Sequence, residues 1–372
     1  MIYLVFEPLR EGHASYTHVQ EIIDGLANEG WRVGLITPRY DDTAALPGAV
    51  TRFMGMCGVW WRFLFAGRPD VVYARMHFGL FPPALKCRVL RIPLAIEVNG
   101  PVEDLYIAWP ALRPFKALFD TLTLWPVRIA SLICCVTHGL ERLMASRVPK
   151  PSSQVRIVLP NGANTQLFRP GLPRPAGLVL PERYAIFFGT MAPWQGLKPL
   201  LQAATSADWP DGLELVFVGD GRLKPDVRRA AEMNRHIHYL DRVGYRDMPA
   251  LIANASMSFV LTSDCRGRAK SGLLPIKMFE SLACGTPVIA TNQPEQAEFL
   301  AAADAGPLLE STTPQTICAA AQRLLQDPQA ARAAAQRGRR LIETDYTWAS
   351  TAKRLSNTLR EQIATNSDNK IK

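Results

Sequence analysis

The sequence predicts an α/β protein with two doubly wound parallel sheets, one in each half of the chain, and three observations carry that prediction. Short apolar runs alternate with helical patterns from Ile2 onward, and this alternation stops at a stretch of linker composition and then restarts. At 372 residues the chain also exceeds what one hydrophobic core normally serves. Its composition, 48% hydrophobic and 20% charged, is that of a globular protein.

In the first half, residues 2–6 form an apolar run, 7–15 a polar loop and 17–29 a helical pattern closed by Gly30, followed by a strand over 32–37. This is a βαβ unit, which implies parallel pairing. The loop holding Gly12 and His13 lies at a strand's carboxyl end, where open α/β sheets take ligands. It lacks the G-x-G-x-x-G pattern, so a dinucleotide is not indicated. Further strands at 71–74, 94–98 and 132–137 end in polar residues at the same rim: Arg75, then Glu97, Asn99 and Glu103, then Thr137 and His138. Segments 53–65 and 106–125 mix Phe, Trp and Leu with Arg and Lys. They read either as core helices or as an interfacial patch for anionic lipid.

A strand at 155–159 leads to Pro160-Asn161-Gly162-Ala163-Asn164. Residues 170–181 then hold four prolines and two glycines, which places the domain boundary there. The expected division is 1–170, a linker at 171–182, a second domain at 183–345 and a closing helical segment at 346–372. In the second half, strands are expected at 185–188, 213–218, 236–240 and 257–261, and the stretch 271–291 reads as loop, helix, turn and strand. Pro275 suits the first helical position, Gly285 the left-handed residue past the end, and Pro287 stops continuation.

On this helix Ile276, Phe279, Leu282 and Ala283 share an apolar face, while Lys277, Glu280, Ser281 and Cys284 recur along another. A glycine-containing loop entering a helix N-terminus suits a phosphate or diphosphate, and a carboxylate one turn inside suits sugar or ribose hydroxyls. The plainer reading is an ordinary amphipathic helix with an exposed Lys/Glu pair, and the helix alone leaves both open.

The net charge of +9 points to an anionic ligand or surface. No basic run interleaved with stacking aromatics supports nucleic acid. Seven cysteines without a C-x-x-C pair argue against a disulfide framework and fit a reducing, cytoplasmic setting. His236 and His238 have no evident third ligand, so no metal site is expected. No stretch reaches 18 uninterrupted apolar residues, so any membrane contact is expected from the side.

The ordered signatures are Gly12-His13-Ala14-Ser15-Tyr16, Pro160-Asn161-Gly162-Ala163-Asn164 with Phe168 and Pro170, Phe188-Gly189-Thr190 with Trp194-Gln195-Gly196, Phe217-Val218-Gly219-Asp220-Gly221, and the run from Lys277 to Val288. With them the chain resembles the retaining GT-B glycosyltransferases of family 4 (glycosyl transferases group 1), of the bacterial surface-polysaccharide type. The resemblance implies two Rossmann-like domains facing across a cleft, the C-terminal one holding a UDP- or GDP-linked sugar and the N-terminal one a saccharide or lipid-linked acceptor. It implies no cofactor and no obligatory metal, a C-terminal helix crossing back to the first domain, and a site on the cytoplasmic, inner face of a membrane with an anionic surface as a further partner. It assigns donor contacts to Gly189, Thr190, Gln195, Val243, Gly272, Leu273, Leu274, Pro275, Lys277 and Glu280, with Lys277 and Glu280 as the catalytic pair. Gly12, His13, Arg75, Glu97, Asn99 and Glu103 fall on the acceptor side.

Three departures from the family pattern stand out. Gly272 occupies the place of the first of two glutamates, Thr190 and Gln195 occupy places usually held by Arg and Lys, and Asn99 lies where many relatives carry a histidine. A charge-assisted hydrogen bond contributes about 1.5–3 kcal/mol, so the missing cations need replacement. Lys277, Arg266, Arg268 and Lys270 are the nearest candidates in sequence, and Lys277 is the one expected to serve. A non-catalytic partner subunit and a nucleotide-sugar epimerase of the same fold are the alternative readings. Oligomeric state is left unassigned.

Overall fold

The computed structural model describes residues 1–40, 48–151, 153–264, 267–272 and 274–371, without the side chains of 366–371. The chain forms two compact units: residues 1–10, 19–160 and 351–372 in the first, and 11–18 and 161–350 in the second. The proline-rich stretch 171–182 contains no helix or strand and belongs to the second unit.

The first unit holds a six-stranded parallel sheet of β1 (Ile2–Leu4), β2 (Gly34–Ile36), β3 (Val72–Arg75), β4 (Leu94–Val98), β5 (Leu132–Cys135) and β6 (Val155–Val158) in the order β2-β1-β3-β4-β5-β6. Every residue of β3, β4 and β5 is buried, because helices cover both faces of a parallel sheet and leave no side for water. The helix Ala14–Asn28 begins three residues before the expected start, since the His13 carbonyl accepts from the N–H groups of Tyr16 and Thr17. Segment 53–65 lies in the helix Ala49–Phe65, whose Met56, Val59 and Phe63 enter the core. Segment 106–125 is divided among the helix Glu103–Ala108, a 3₁₀ turn at Pro110–Phe115 and the helix Lys116–Ile129.

The second unit repeats the plan with β7 (Tyr184–Phe188), β8 (Glu214–Val218), β9 (Ile237–Leu240), β10 (Met257–Val260), β11 (Val288–Thr291) and β12 (Leu308–Leu309), ordered β12-β11-β10-β7-β8-β9 and all parallel. Two apolar clusters, around Phe187, Phe217 and Phe259 and around Phe188, Phe279 and Leu282, lie on the two faces of this sheet. The sequence expectation stopped short of β12, whose two residues give no period to read, and of the short helix Gln296–Ala302 before it. The strand order reverses between β7 and β10, and it is outside the carboxyl ends at such a reversal that open α/β sheets bind ligands.

Residues 276–291 form helix, turn and strand as expected, but the helix is Ile276–Ala283 and Pro275, in extended conformation, is its N-cap, one place before the first helical position the sequence suggested. Its end is a Schellman motif. Gly285 N–H bonds the Leu282 carbonyl and Thr286 N–H the Ser281 carbonyl, both at 3.0 Å, with Gly285 at φ 70°.

Candidate functional site

A pocket with about 810 Å³ of space, open to solvent, lies within the second unit at the carboxyl ends of β7, β8 and β9. The turns after β7 and β8 floor it by packing backbone on backbone. Gly189 N–H bonds the Val218 carbonyl at 2.9 Å and Met191 N–H the Asp220 carbonyl at 2.8 Å. A Cβ on Gly219, whose φ is 133°, would stand 2.2 Å from the Gly189 carbonyl oxygen, which is why this turn carries glycine.

Two helix N-termini reach the pocket, at Ala14 and Thr17 from one helix and at Pro275 and Ile276 from the other. Each brings partial positive charge from its unpaired N–H groups. The loop that starts the first is fastened by Glu11, whose carboxylate accepts from Tyr245 N–H at 3.0 Å. Behind it His18 Nδ1–H donates to Asn161 Oδ1 at 2.9 Å, and Asn161 Nδ2 donates to the Leu274 carbonyl at 3.1 Å. The Pro160-to-Asn164 motif thus braces the turn that precedes the second helix.

Lys277 is the cation of this pocket with the most distinctive setting. Its Nζ donates to Gln195 Oε1 at 2.7 Å and sits 4.1 Å from the centre of the Phe187 ring, and only 8% of the residue is exposed. Burial pushes its pKa down to about 7, against a smaller upward pull from Glu280. Glu280, one turn further along and 7% exposed, is the single carboxylate among the described lining residues. Arg242 adds a second cation, with Nε 3.9 Å from Asp220.

Of the donor-side residues expected from the sequence, Gly189, Thr190, Gln195, Val243, Pro275, Lys277 and Glu280 line this one pocket, and Gly12 and His13 line it with them. Gly272 closes the 3₁₀ turn Arg268–Ser271, Leu274 accepts from Asn161, and neither is among the lining residues. Leu273 and Arg266 lie outside the described residues. The ligand-facing side of the helix is narrower than its polar pattern suggests. Ser281 donates to the Lys277 carbonyl at 2.7 Å and accepts from the Ser258 hydroxyl at 2.8 Å, and Cys284 is packed in the core.

The remaining acceptor-side residues lie in the first unit. Glu97, 1% exposed, accepts from Tyr73 at 2.6 Å, Tyr3 at 3.1 Å, Arg75 at 3.2 Å and Asn99. Arg75 also bonds Glu7 at 3.1 Å. Burial disfavours the Arg75 charge, but Glu7 and Glu97 together more than offset that and hold its pKa above the ordinary value. Arg75, Glu97 and Asn99 are therefore joined in one buried network, whereas Glu103 pairs separately with Arg147 at 2.5 Å. Sequence reading missed Arg242, Tyr245 and Met248, although the end of β9 at the same rim as Gly189 and Gly219 was a positional signal for them.

Two family descriptions match the chain, Glycosyltransferase Family 4 over residues 16–167 and Glycosyl transferases group 1 over residues 182–327. Among curated proteins, the chain is 28% identical over 218 residues to the GDP-mannose-dependent monoacylated alpha-(1-6)-phosphatidylinositol monomannoside mannosyltransferase of Corynebacterium glutamicum, a match spanning 55% of this chain and 56% of that protein. It is 28% identical over 332 residues to the GDP-mannose-dependent alpha-(1-6)-phosphatidylinositol monomannoside mannosyltransferase of Mycobacterium tuberculosis, covering 73% and 83%. Among solved structures, sucrose-phosphate synthase from Thermosynechococcus elongatus superposes with a TM-score of 0.74 at 17% identity, covering 98% of this chain and 99% of that one. WaaG, a glycosyltransferase involved in lipopolysaccharide biosynthesis, gives 0.70 at 14%, covering 96% and 99%. At these identities the structural likeness is one of fold.

Proposed function

The chain belongs to the family 4, group 1 glycosyltransferases, and on that premise we propose that it transfers a hexosyl group, with retention, from a nucleotide-diphosphate sugar to a saccharide or lipid-linked acceptor in glycolipid or polysaccharide synthesis. The observation that carries this reading is Lys277, a buried lysine held by Gln195 at a helix N-terminus, one turn before Glu280. GDP-mannose, named as donor in the mannosyltransferase relatives, is the first donor to assay, with UDP-sugars beside it.

In this reading the diphosphate occupies the space before Ile276, where helix dipole and ammonium stabilise the charge left on the departing phosphate. Lys277 is near the midpoint of its titration at neutral pH, so an arriving diphosphate draws it to its charged form. Glu280, an acceptor of hydrogen bonds when ionised, takes the ribose hydroxyls. Gln195, at a place where the family resemblance leads one to expect a cation, orients Lys277 instead. The acceptor attacks on the face the diphosphate leaves, and its proton passes to the departing phosphate oxygen. No side-chain base is required; neither a cofactor nor a metal takes part. Positioning and leaving-group stabilisation are then the protein's whole contribution.

The test is a thermal-shift screen of GDP- and UDP-sugars followed by a transfer assay with and without saccharide and lipid acceptors. Stabilisation by a nucleotide sugar with acceptor-dependent product of retained anomeric configuration supports the proposal. Product from donor alone would instead mark an epimerase, and binding without any turnover a non-catalytic subunit.

A further inference from the structure

The pocket of the second unit changes character from one end to the other. Beside β7 and the helix Ile276–Ala283 it is lined by Thr190, Gln195, Lys277 and Glu280, the polar groups given above to diphosphate and ribose. Beside the ends of β8 and β9 the lining is Val218, Val243 and Met248, with Arg242 the one charged side chain there among the described residues. Only β8 separates β7 from β9, so the two ends lie about 9–10 Å apart. A nucleotide reaches that far from its phosphates across a ribose to the outer edge of its base. The apolar end therefore suits the flat heterocycle.

Arg242 stands at that end with its donors unspent. Its methylenes lie along the loop at Gly12, with Cδ 3.5 Å from where a Cβ on that glycine would stand, which fixes the direction of the stem. The side chain is 28% exposed, and Asp220 lies 3.9 Å from Nε, too far for a hydrogen bond. Asp220 accepts instead from Gly221 N–H at 2.7 Å. Among the described residues the Arg242 guanidinium makes no hydrogen bond, so its fork of N–H groups remains for a ligand.

Such a fork distinguishes the bases by geometry. Guanine presents two adjacent acceptors, O6 and N7, which match two parallel N–H groups. Uracil presents O4 beside its own N3–H, and adenine sets an amino donor beside N7. Arginine thus favours guanine, takes uracil through one bond and opposes adenine. We propose, on the strength of the donor reading above, that Arg242 selects a guanine nucleotide, donating to O6 and N7 while Val218, Val243 and Met248 pack around the ring.

Calorimetric titration of the whole chain with GDP, IDP, UDP, ADP and 7-deaza-GDP tests it. IDP keeps O6 and N7 without the 2-amino group, and 7-deaza-GDP lacks only N7. GDP and IDP should bind alike and tighter than ADP by roughly tenfold to a hundredfold, the range for one forked pair, with UDP and 7-deaza-GDP between. In Arg242→Met, at an unchanged melting temperature, the preference for GDP over ADP should all but vanish. Arg242→Lys should restore only part of it, since an ammonium has no fork. Equal binding of GDP and ADP or of GDP and 7-deaza-GDP by wild type, neither of which needs a variant, overturns the proposal, as does a GDP preference kept in Arg242→Met. Equal weakening of every diphosphate by Arg242→Met overturns it too and makes Arg242 a phosphate ligand. Each of these results leaves the donor reading standing, whereas failure of all the diphosphates to bind would overturn both.

Discussion

Replacing Lys277 by Met should stabilise the empty protein while abolishing nucleotide binding, and the stabilisation should depend on pH in a defined direction. In the folded chain this lysine titrates at about 7, against 10.5 for the free side chain, because burial penalises its charged form. Its effect on stability is nil above pH 10.5, where it is neutral in both states. The penalty grows by about 1.4 kcal/mol per pH unit as pH falls, and is complete below about 7 at roughly 4–5 kcal/mol. Methionine has similar length and no charge to bury, and Gln195, only half-buried, can turn its freed oxygen to water. Calorimetric scans of wild type and Lys277→Met between pH 6 and 9 are the assay. The variant should melt higher by roughly 5–15 °C at pH 6, with the gap shrinking by about half at pH 9. A gap that is constant with pH, or a variant less stable at pH 6, would refute the argument that this ammonium is held at a cost.

Glu280→Ala should weaken nucleotide-sugar binding by about tenfold to a hundredfold, the value of one or two hydrogen bonds to a charged group, measured by calorimetric titration. Nucleotide binding at pH 8.5 should take up close to one proton, read from the dependence of binding enthalpy on buffer ionisation, and an enthalpy that does not change with buffer would contradict this. Gly219→Ala should cost about 3 kcal/mol or more in stability, since its methyl meets the Gly189 carbonyl in a backbone region closed to alanine; an unchanged melting temperature would contradict this. Glu97→Gln should cost about 2–4 kcal/mol by leaving Arg75 with a single carboxylate, and its effect should combine non-additively with that of Arg75→Met.

Much of this was legible in the sequence because the relevant signals are local. The alternation of apolar runs with helical periods marks the strands of both sheets, and the Pro275 and Gly285 punctuation marks the ends of the donor-side helix. The motifs at 12–16, 188–196 and 277–288 converge on one pocket because each sits at a strand's carboxyl end or a helix start. What the sequence did not give depends on partners distant along the chain. Nothing near Lys277 announces Gln195, 82 residues away, and nothing near Glu97 shows that Tyr3, Tyr73 and Arg75 occupy its oxygens. Arg242 follows a short strand without a recognisable motif. For residues 53–65, the core reading holds on one side of the helix, through Met56, Val59 and Phe63, while Phe53, Trp61, Leu64 and Phe65 on the other side face solvent.

A structure of the chain with GDP or UDP bound tests the central claim most directly. The account predicts the diphosphate before Ile276, with Lys277 Nζ turned from Gln195 to a phosphate oxygen at about 2.8 Å and Glu280 on the ribose hydroxyls. A nucleotide bound elsewhere, or a diphosphate in this pocket with Lys277 still on Gln195 and no phosphate oxygen in reach, would contradict it.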